Sequence, residues 1–271
     1  MGSSDRGEVE RPLNAMVPST LAEAARPPNG RRDALLSAAG IIAFSSLASR
    51  VLGLFRDRIF AHTFGAGEVL DAYYVAYRIP DLLYNLLILG ALSAAFLPII
   101  SRYLANGESG KQEAYRVANA LLTIALVVLS GLALLLAVLA PVLIPALAPG
   151  LDPARRDLAV LFTRIMLLQP ILLGLSSVFS GMLLAFQRFW VYAAAPVLYN
   201  IGIITGALVF VPRLGPVGLA WGVILGALLH ILVQFPGVFR LGFRFRPTLS
   251  FAHVGLRQVS HLFLPRLIGL L

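Results

Sequence analysis

The sequence predicts an all-α polytopic membrane helix bundle, with six complete transmembrane helices and the start of a seventh. Three observations predict it. Apolar runs of about 20 residues recur along the chain, the length needed to cross a hydrocarbon core about 30 Å thick at about 1.5 Å of helical rise per residue. Hydrophobic residues make up 58% of the chain and charged residues only 13%, with a mean hydropathy of +0.84, which leaves too few charges to clothe a soluble domain. Basic residues gather in alternate loops. At these lengths only helices close all their backbone hydrogen bonds inside lipid, so the runs are helices.

In order, residues 1–32 are polar, with Pro12, Pro18, Pro27, Pro28 and Gly30 among charges and no apolar periodicity, and are expected to form a disordered cytoplasmic tail. A transmembrane lobe follows over residues 33–250. Its first span covers residues 34–60, too far from the start and too smoothly continued past Arg50 for a cleaved signal. The second covers residues 69–103, with an uncharged stretch at 82–101 and a proline, Pro80, that removes a backbone donor. The third covers residues 117–147 and is expected to tilt or kink near Pro141 and Pro145. The fourth, 158–186, contains Arg164, Gln169 and Pro170; the fifth, 190–211, contains Pro196 and Asn200; the sixth, 217–239, contains His230. Residues 251–271 read as the start of a seventh span.

Twelve basic residues fall in the tail and the loops on its side of the membrane, against Arg155, Arg156 and Arg213 on the other. The positive-inside rule therefore places the N-terminus in the cytoplasm and residues 152–157 outside. The net charge of +9 is spread over these loops rather than clustered with aromatics on a polar domain, so no nucleic-acid partner is expected. The absence of cysteine excludes a disulfide framework and a thiolate nucleophile. No Gly-rich phosphate loop follows a strand and no nucleophile, base and orienter occur together, so no catalytic residue, cofactor or metal is assigned and an enzyme is not expected.

The charged stretch from Ser49 to Pro98 is where function is expected. It sets Arg50, Arg56, Asp57, Arg58, Asp71, Arg78 and Asp81 among apolar runs, and a charge near the bilayer centre costs roughly 2.5–3.5 kcal/mol on insertion scales unless it faces a bundle interior or a wet cavity. Helical residues seven apart share a face, which makes Arg50 with Asp57 and Asp71 with Arg78 candidate pairs. Arg58 is read as snorkelling to the headgroups. Arginines lining a cavity present planar donor forks suited to phosphate or carboxylate, which points to an anionic substrate. His230, Asn200 and Gln169 are read as interhelical hydrogen-bond groups, and Arg164 as a minor candidate for the cavity.

SRVLGLFRD at Ser49–Asp57, FGAGEVLDAYYVAYRIPDLL at Phe64–Leu83 and GALSAAFLPI at Gly90–Ile99 resemble the N-terminal half of the MurJ/MviN lipid II flippases, within the multidrug/oligosaccharidyl-lipid/polysaccharide exporter superfamily. APGL at Ala148–Leu151, QRF at Gln187–Phe189, APVLYN at Ala195–Asn200, LAW at Leu219–Trp221 and QFP at Gln234–Pro236 continue the resemblance in order. It implies the first lobe of a fourteen-helix flippase of the bacterial cytoplasmic membrane. Such a protein moves an undecaprenyl-diphosphate-linked peptidoglycan precursor by alternating access, with membrane lipids around it and a coupling ion that the residues leave unspecified. On matching positions it implies Arg50, Arg56, Asp71 and Arg78 as substrate-binding cavity residues, and Gly53, Gly65, Gly67, Pro80 and Gly90 as hinge and packing positions. Two departures stand out: Tyr84 and Asn85 replace a basic pair, and Ile88–Leu89–Gly90 replaces the family's AEG. They keep open a related exporter of another lipid-linked oligosaccharide or an amphipathic drug. The chain length raises two further expectations: an N-terminal fragment of the flippase, or a non-transporting membrane interaction protein.

Overall fold

The computed structural model describes residues 29–65, 67–85 and 93–248, and every regular element among them is helical. The expected tail up to residue 28, Gly90 and the expected seventh span lie outside the described residues. The elements are α1 (Asn29–Phe64), α2 (Glu68–Tyr84), α3 (Ser93–Leu104), α4 (Gly107–Leu147), α5 (Pro153–Met166), α6 (Leu168–Ala185), α7 (Phe189–Thr205), a π-helical turn (Gly206–Phe210), α8 (Val211–Leu214), α9 (Val217–Leu232) and α10 (Phe235–Arg240). The chain divides at Gly40 into two compact units. Of the first, the described residues 29–40 form the opening turns of α1; the account below concerns the second.

Five stretches among the described residues are long and apolar enough to cross a membrane: Leu36–Phe64, Gly107–Leu147, Pro153–Ala185, Phe189–Leu214 and Val217–Arg240. The second expected span is represented by α2 and α3, on either side of residues 86–92. Two boundaries differ from the sequence reading. Residues 107–116, expected as loop, extend α4, because Lys111 with Glu108 and Arg116 with Glu113 pair one turn apart, at 3.4 and 2.5 Å, along its polar entry. Residues 153–157, expected as an external loop, are already helix: the Asp152 carboxylate accepts from the Arg155 amide at 3.0 Å, and Pro153 occupies the first turn, where no amide is needed.

Two apolar clusters, one toward each end of the spans, hold the helices together. The first gathers Phe60, Tyr73, Ile79, Ile144, Phe162, Met166, Leu219 and Val223. The second gathers Phe96, Ile100, Val117, Leu121, Val178, Met182, Leu183 and Phe243. α7, with the π-helical turn that follows it, approaches α9 backbone to backbone. A Cβ on Gly202 would lie 2.4 Å from the Gly226 Cα, and one on Gly222 would lie 2.6 Å from the Gly206 Cα. Glycines four apart on both helices let the backbones touch, which is how helices gain contact energy where lipid supplies no hydrophobic drive between them. Gln187, between α6 and α7, takes a left-handed φ of 58°, while the Arg188 amide reaches back to the Leu183 carbonyl at 2.7 Å and closes the helix end.

Prolines inside spans leave carbonyls without their amide partner four residues on, and α5 supplies substitutes for two of them. Pro141 deprives the Ala137 carbonyl, and the Arg164 Nε donates to that oxygen at 3.1 Å. Pro80 deprives the Ala76 carbonyl; the Thr163 hydroxyl shares its proton between this oxygen at 3.3 Å and Ala159 O at 2.8 Å. Arg164 thus has a structural partner in α4. Arg164→Leu should lower unfolding free energy in mixed micelles by about 1–3 kcal/mol, the cost of an unpaired polar group. The same substitution in a Pro141→Ala background, where the amide returns, should cost much less. Equal losses in the two backgrounds would rule out this capping role.

Candidate functional site

The residues expected to line a cavity lie on α1 and α2. Arg50 and Arg78 are exposed, and among the described residues neither forms an ion pair. The expected pairs at a spacing of seven do not form. Seven residues of helix separate two side chains by about 10 Å along the axis, and nearer partners win. Asp57 takes Arg56, whose Nη2 lies 2.9 Å from its Oδ1. Asp71 takes Arg155 at 3.4 Å, the same guanidinium that reaches Glu68 at 2.7 Å and Asp152 at 2.7 Å. This cluster ties the first turn of α2 to the first turn of α5, with Asp71 exposed between them. Glu68 and Asp71 also complement the positive end of the α2 dipole there.

Arg56 is the most enclosed of the four, its side chain 26% exposed. Tyr77 of α2 belongs to a polar cluster that the sequence reading did not assemble. The Gln169 amide of α6, 1% exposed, donates to Tyr77 Oη of α2 at 3.1 Å and to Tyr199 Oη of α7 at 2.9 Å, and the two hydroxyls lie 3.0 Å apart. On the far side of Tyr199, its ring meets that of His230 edge-on, with centroids 6.3 Å apart. The Ser176 hydroxyl donates to Gln234 Oε1 at 3.0 Å, so the 2.7 Å contact between Ser176 Oγ and His230 Nδ1 requires the histidine to donate.

A second polar set seats α1 on α7. The Ser45 hydroxyl donates to the Ala193 carbonyl and that of Ser49 to the Pro196 carbonyl at 3.3 Å. The Asn200 amide donates to Ser49 Oγ at 3.0 Å, Ser49 O at 3.3 Å and Pro196 O at 3.0 Å. Ser49 immediately precedes Arg50, so this seat sets the azimuth of the arginine. Of the expected hinge and packing positions, Gly53 faces Asn200 Oδ1, where a Cβ would make an ordinary contact at 3.9 Å. Gly65 has a φ of +60°, open to glycine without strain, and a Cβ on Gly67 would stand 2.8 Å from the Phe64 carbonyl. Pro80 is buried within α2. Asn200 and Tyr199 both stand in the word APVLYN, Tyr77 stands in the Phe64–Leu83 stretch, and Gln169 was expected as an interhelical hydrogen-bond group; that Tyr77, Tyr199 and Gln169 meet was not legible from their spacing.

This lobe, with its arginine-bearing α1 and α2 against a packed body of spans, has the fold of polytopic membrane transporters. A solved structure described as lipid II flippase MurJ in an inward closed conformation superposes with a TM-score of 0.66 at 23% identity, over 84% of this chain and 48% of its own. A MOP superfamily transporter from Pyrococcus furiosus superposes with a TM-score of 0.64 at 16% identity, over 86% of this chain and 52% of its own.

A family model described as lipid II flippase MurJ matches residues 60–271. The lipid II flippase MurJ of Burkholderia cenocepacia is 35% identical over 235 residues, which are 83% of this chain and 44% of that protein. The probable lipid II flippase MurJ of Haemophilus influenzae is 32% identical over 235 residues, 83% of this chain and 46% of that protein. The chain belongs to the lipid II flippase MurJ family, is a multi-pass membrane protein, and spans a little under half the length of these curated relatives.

If the Asn200 amide carries the seat of α1, Ser49→Ala and Asn200→Ala should be non-additive. A double-mutant cycle by unfolding in micelles should return a coupling energy of about 0.6–1.7 kcal/mol, the range found for interhelical hydrogen bonds in membranes. Strict additivity would mean that the two side chains do not hold each other.

Proposed function

We propose that this chain is the N-terminal lobe of a flippase that carries a lipid-linked peptidoglycan precursor across the cytoplasmic membrane by alternating access. Arg50, Arg56 and Arg78 are proposed to contact the precursor's diphosphate, with Asp71 at the cavity rim. The observation that carries the reading is the placement of Arg50 and Arg78: two exposed guanidinium groups, unpaired among the described residues, on the two helices that open a lobe matching this family. A guanidinium on a span is tolerated where it faces a wet cavity, and its bidentate donor fork fits phosphate oxygens. Arg56, partly neutralised by Asp57, would contribute a weaker field than the other two.

A second reading is a related exporter for another lipid-linked oligosaccharide. It is favoured by Tyr84 and Asn85, neutral residues at the end of α2 where the family resemblance implies a basic pair.

In a full-length protein carrying this lobe, Arg50→Ala or Arg78→Ala should abolish rescue of a flippase-depleted strain while the protein still reaches the membrane. Arg→Lys should rescue in part, since a point charge replaces a fork, and Arg58→Ala should be tolerated. Normal growth of both alanine variants at equal expression would remove these arginines from the transport path.

The proposed orientation has a cytoplasmic N-terminus, which can be tested because the chain has no native cysteine. Gly150→Cys, exposed between α4 and α5 with open space around it, should react with a membrane-impermeant maleimide in intact cells. Glu108→Cys should react only after permeabilisation. The reverse pattern would invert the lobe.

A further inference from the structure

The segment after α10 does not leave the body; it turns back and lies along α4. Gly242, at a φ of +86°, makes the reversal. The Tyr115 hydroxyl donates to the Leu241 carbonyl at 2.5 Å, and the Phe243 ring is buried against Tyr115 and Phe179. The Asn119 side chain then holds the segment from both sides, its amide donating to the Arg244 carbonyl at 3.3 Å while its oxygen accepts from the Arg246 amide at 2.9 Å. One turn further, Thr123 Oγ1 accepts from the Thr248 amide at 3.0 Å. These contacts pin the backbone and leave the side chains of Arg244 and Arg246 exposed.

Between the strap and α4 lies a cavity of about 360 Å³, lined by Gln112, Tyr115, Arg116, Asn119, Gly242, Arg244 and Arg246. The carboxylates on the entry of α4 are already engaged, Glu113 with Arg116 at 2.5 Å and Glu108 with Lys111 at 3.4 Å. Arg244 and Arg246 have no carboxylate partner among the described residues. Two uncompensated guanidinium groups on a pinned backbone, beside a third that is paired, repel one another unless an anion sits among them. The level in the membrane is set by α4, whose charged residues end at Arg116 and which carries no charge from Val117 to Leu147, so the cavity lies where the helix passes from its charged entry into its apolar length. Basic pockets at that depth on the positive side of a membrane protein suit phosphate headgroups.

We propose that this cavity binds the phosphate of an anionic phospholipid headgroup, with Arg244 and Arg246 as its principal ligands and Gln112 as a neutral donor. The site is separate from the arginines of α1 and α2 and stands whether or not those contact a transported substrate.

The test is titration of the purified full chain, in neutral detergent, with phosphatidylglycerol, phosphatidylcholine or inorganic phosphate, followed by thermal unfolding and by lipid retention in native mass spectrometry. Phosphatidylglycerol should stabilise saturably and be retained, and phosphatidylcholine should do neither. The Arg244→Gln/Arg246→Gln double variant should bind phosphatidylglycerol at least tenfold more weakly. Arg240→Gln, on the same surface but outside the cavity, should leave the affinity unchanged. Undiminished phosphatidylglycerol binding by the double variant overturns the proposal, as does an equal loss in Arg240→Gln, which would indicate diffuse attraction rather than a site. Inorganic phosphate that stabilises as well as phosphatidylglycerol at equal concentration overturns the lipid as the source of the phosphate.

Discussion

Every carbonyl and amide in a membrane lobe must find a partner within the protein, because lipid offers none. Much of this structure follows from that constraint. The chain carries prolines inside α2, α3, α4 and α7, and each removes one donor from a helix that has none to spare. The adjacent residues Thr163 and Arg164 of α5 answer two of these gaps on two different helices, at Ala76 and Ala137. One turn of α5 therefore locks α2 to α4 through oxygens that their own prolines released. At these two positions the bend that proline permits is kept with the freed carbonyl partnered.

The same constraint explains why α1 is held differently from the rest. α7 and α9 meet backbone to backbone through Gly202, Gly206, Gly222 and Gly226, a contact too close to slide without clashes. α1 is seated by Ser45 and Ser49 on carbonyls of α7, by Asn200, and by Phe60 lodged against Tyr73, while Phe44, Leu47, Leu54 and Phe55 remain exposed. Hydrogen bonds of this kind contribute little each and can be exchanged, whereas interdigitated glycines cannot. α1, which bears Arg50, is therefore held by a few exchangeable polar contacts rather than by close backbone packing.

Part of the candidate site was legible in the chain. Arginines among apolar residues announce themselves through their insertion cost, so Arg50, Arg56 and Arg78 could be singled out without coordinates. Their partners could not. Helical periodicity placed Asp57 on the face of Arg50 and Asp71 on the face of Arg78, but periodicity carries no axial distance and knows nothing of Arg155, which captures Asp71 from another helix. Arg164 was read as a minor candidate for the cavity, because the carbonyl it serves belongs to another helix, α4. The strap residues Arg244 and Arg246 counted only toward orientation, since nothing in their spacing reports that Asn119 lies beside them.

The sequence by itself determined that this is a helical membrane protein, roughly where its spans run, which loops carry the positive charge and which family it resembles. Length, hydropathy and charge are read along one dimension, and the bilayer converts them directly into topology. Only the tertiary structure decided which polar groups meet. Arg164 and Ala137 are 27 positions apart, Asn119 and Arg244 125, and Ser49 and Asn200 151. Contacts at such separations depend on the rotation and depth of each helix, which are set by the joint packing of all of them and by no local pattern.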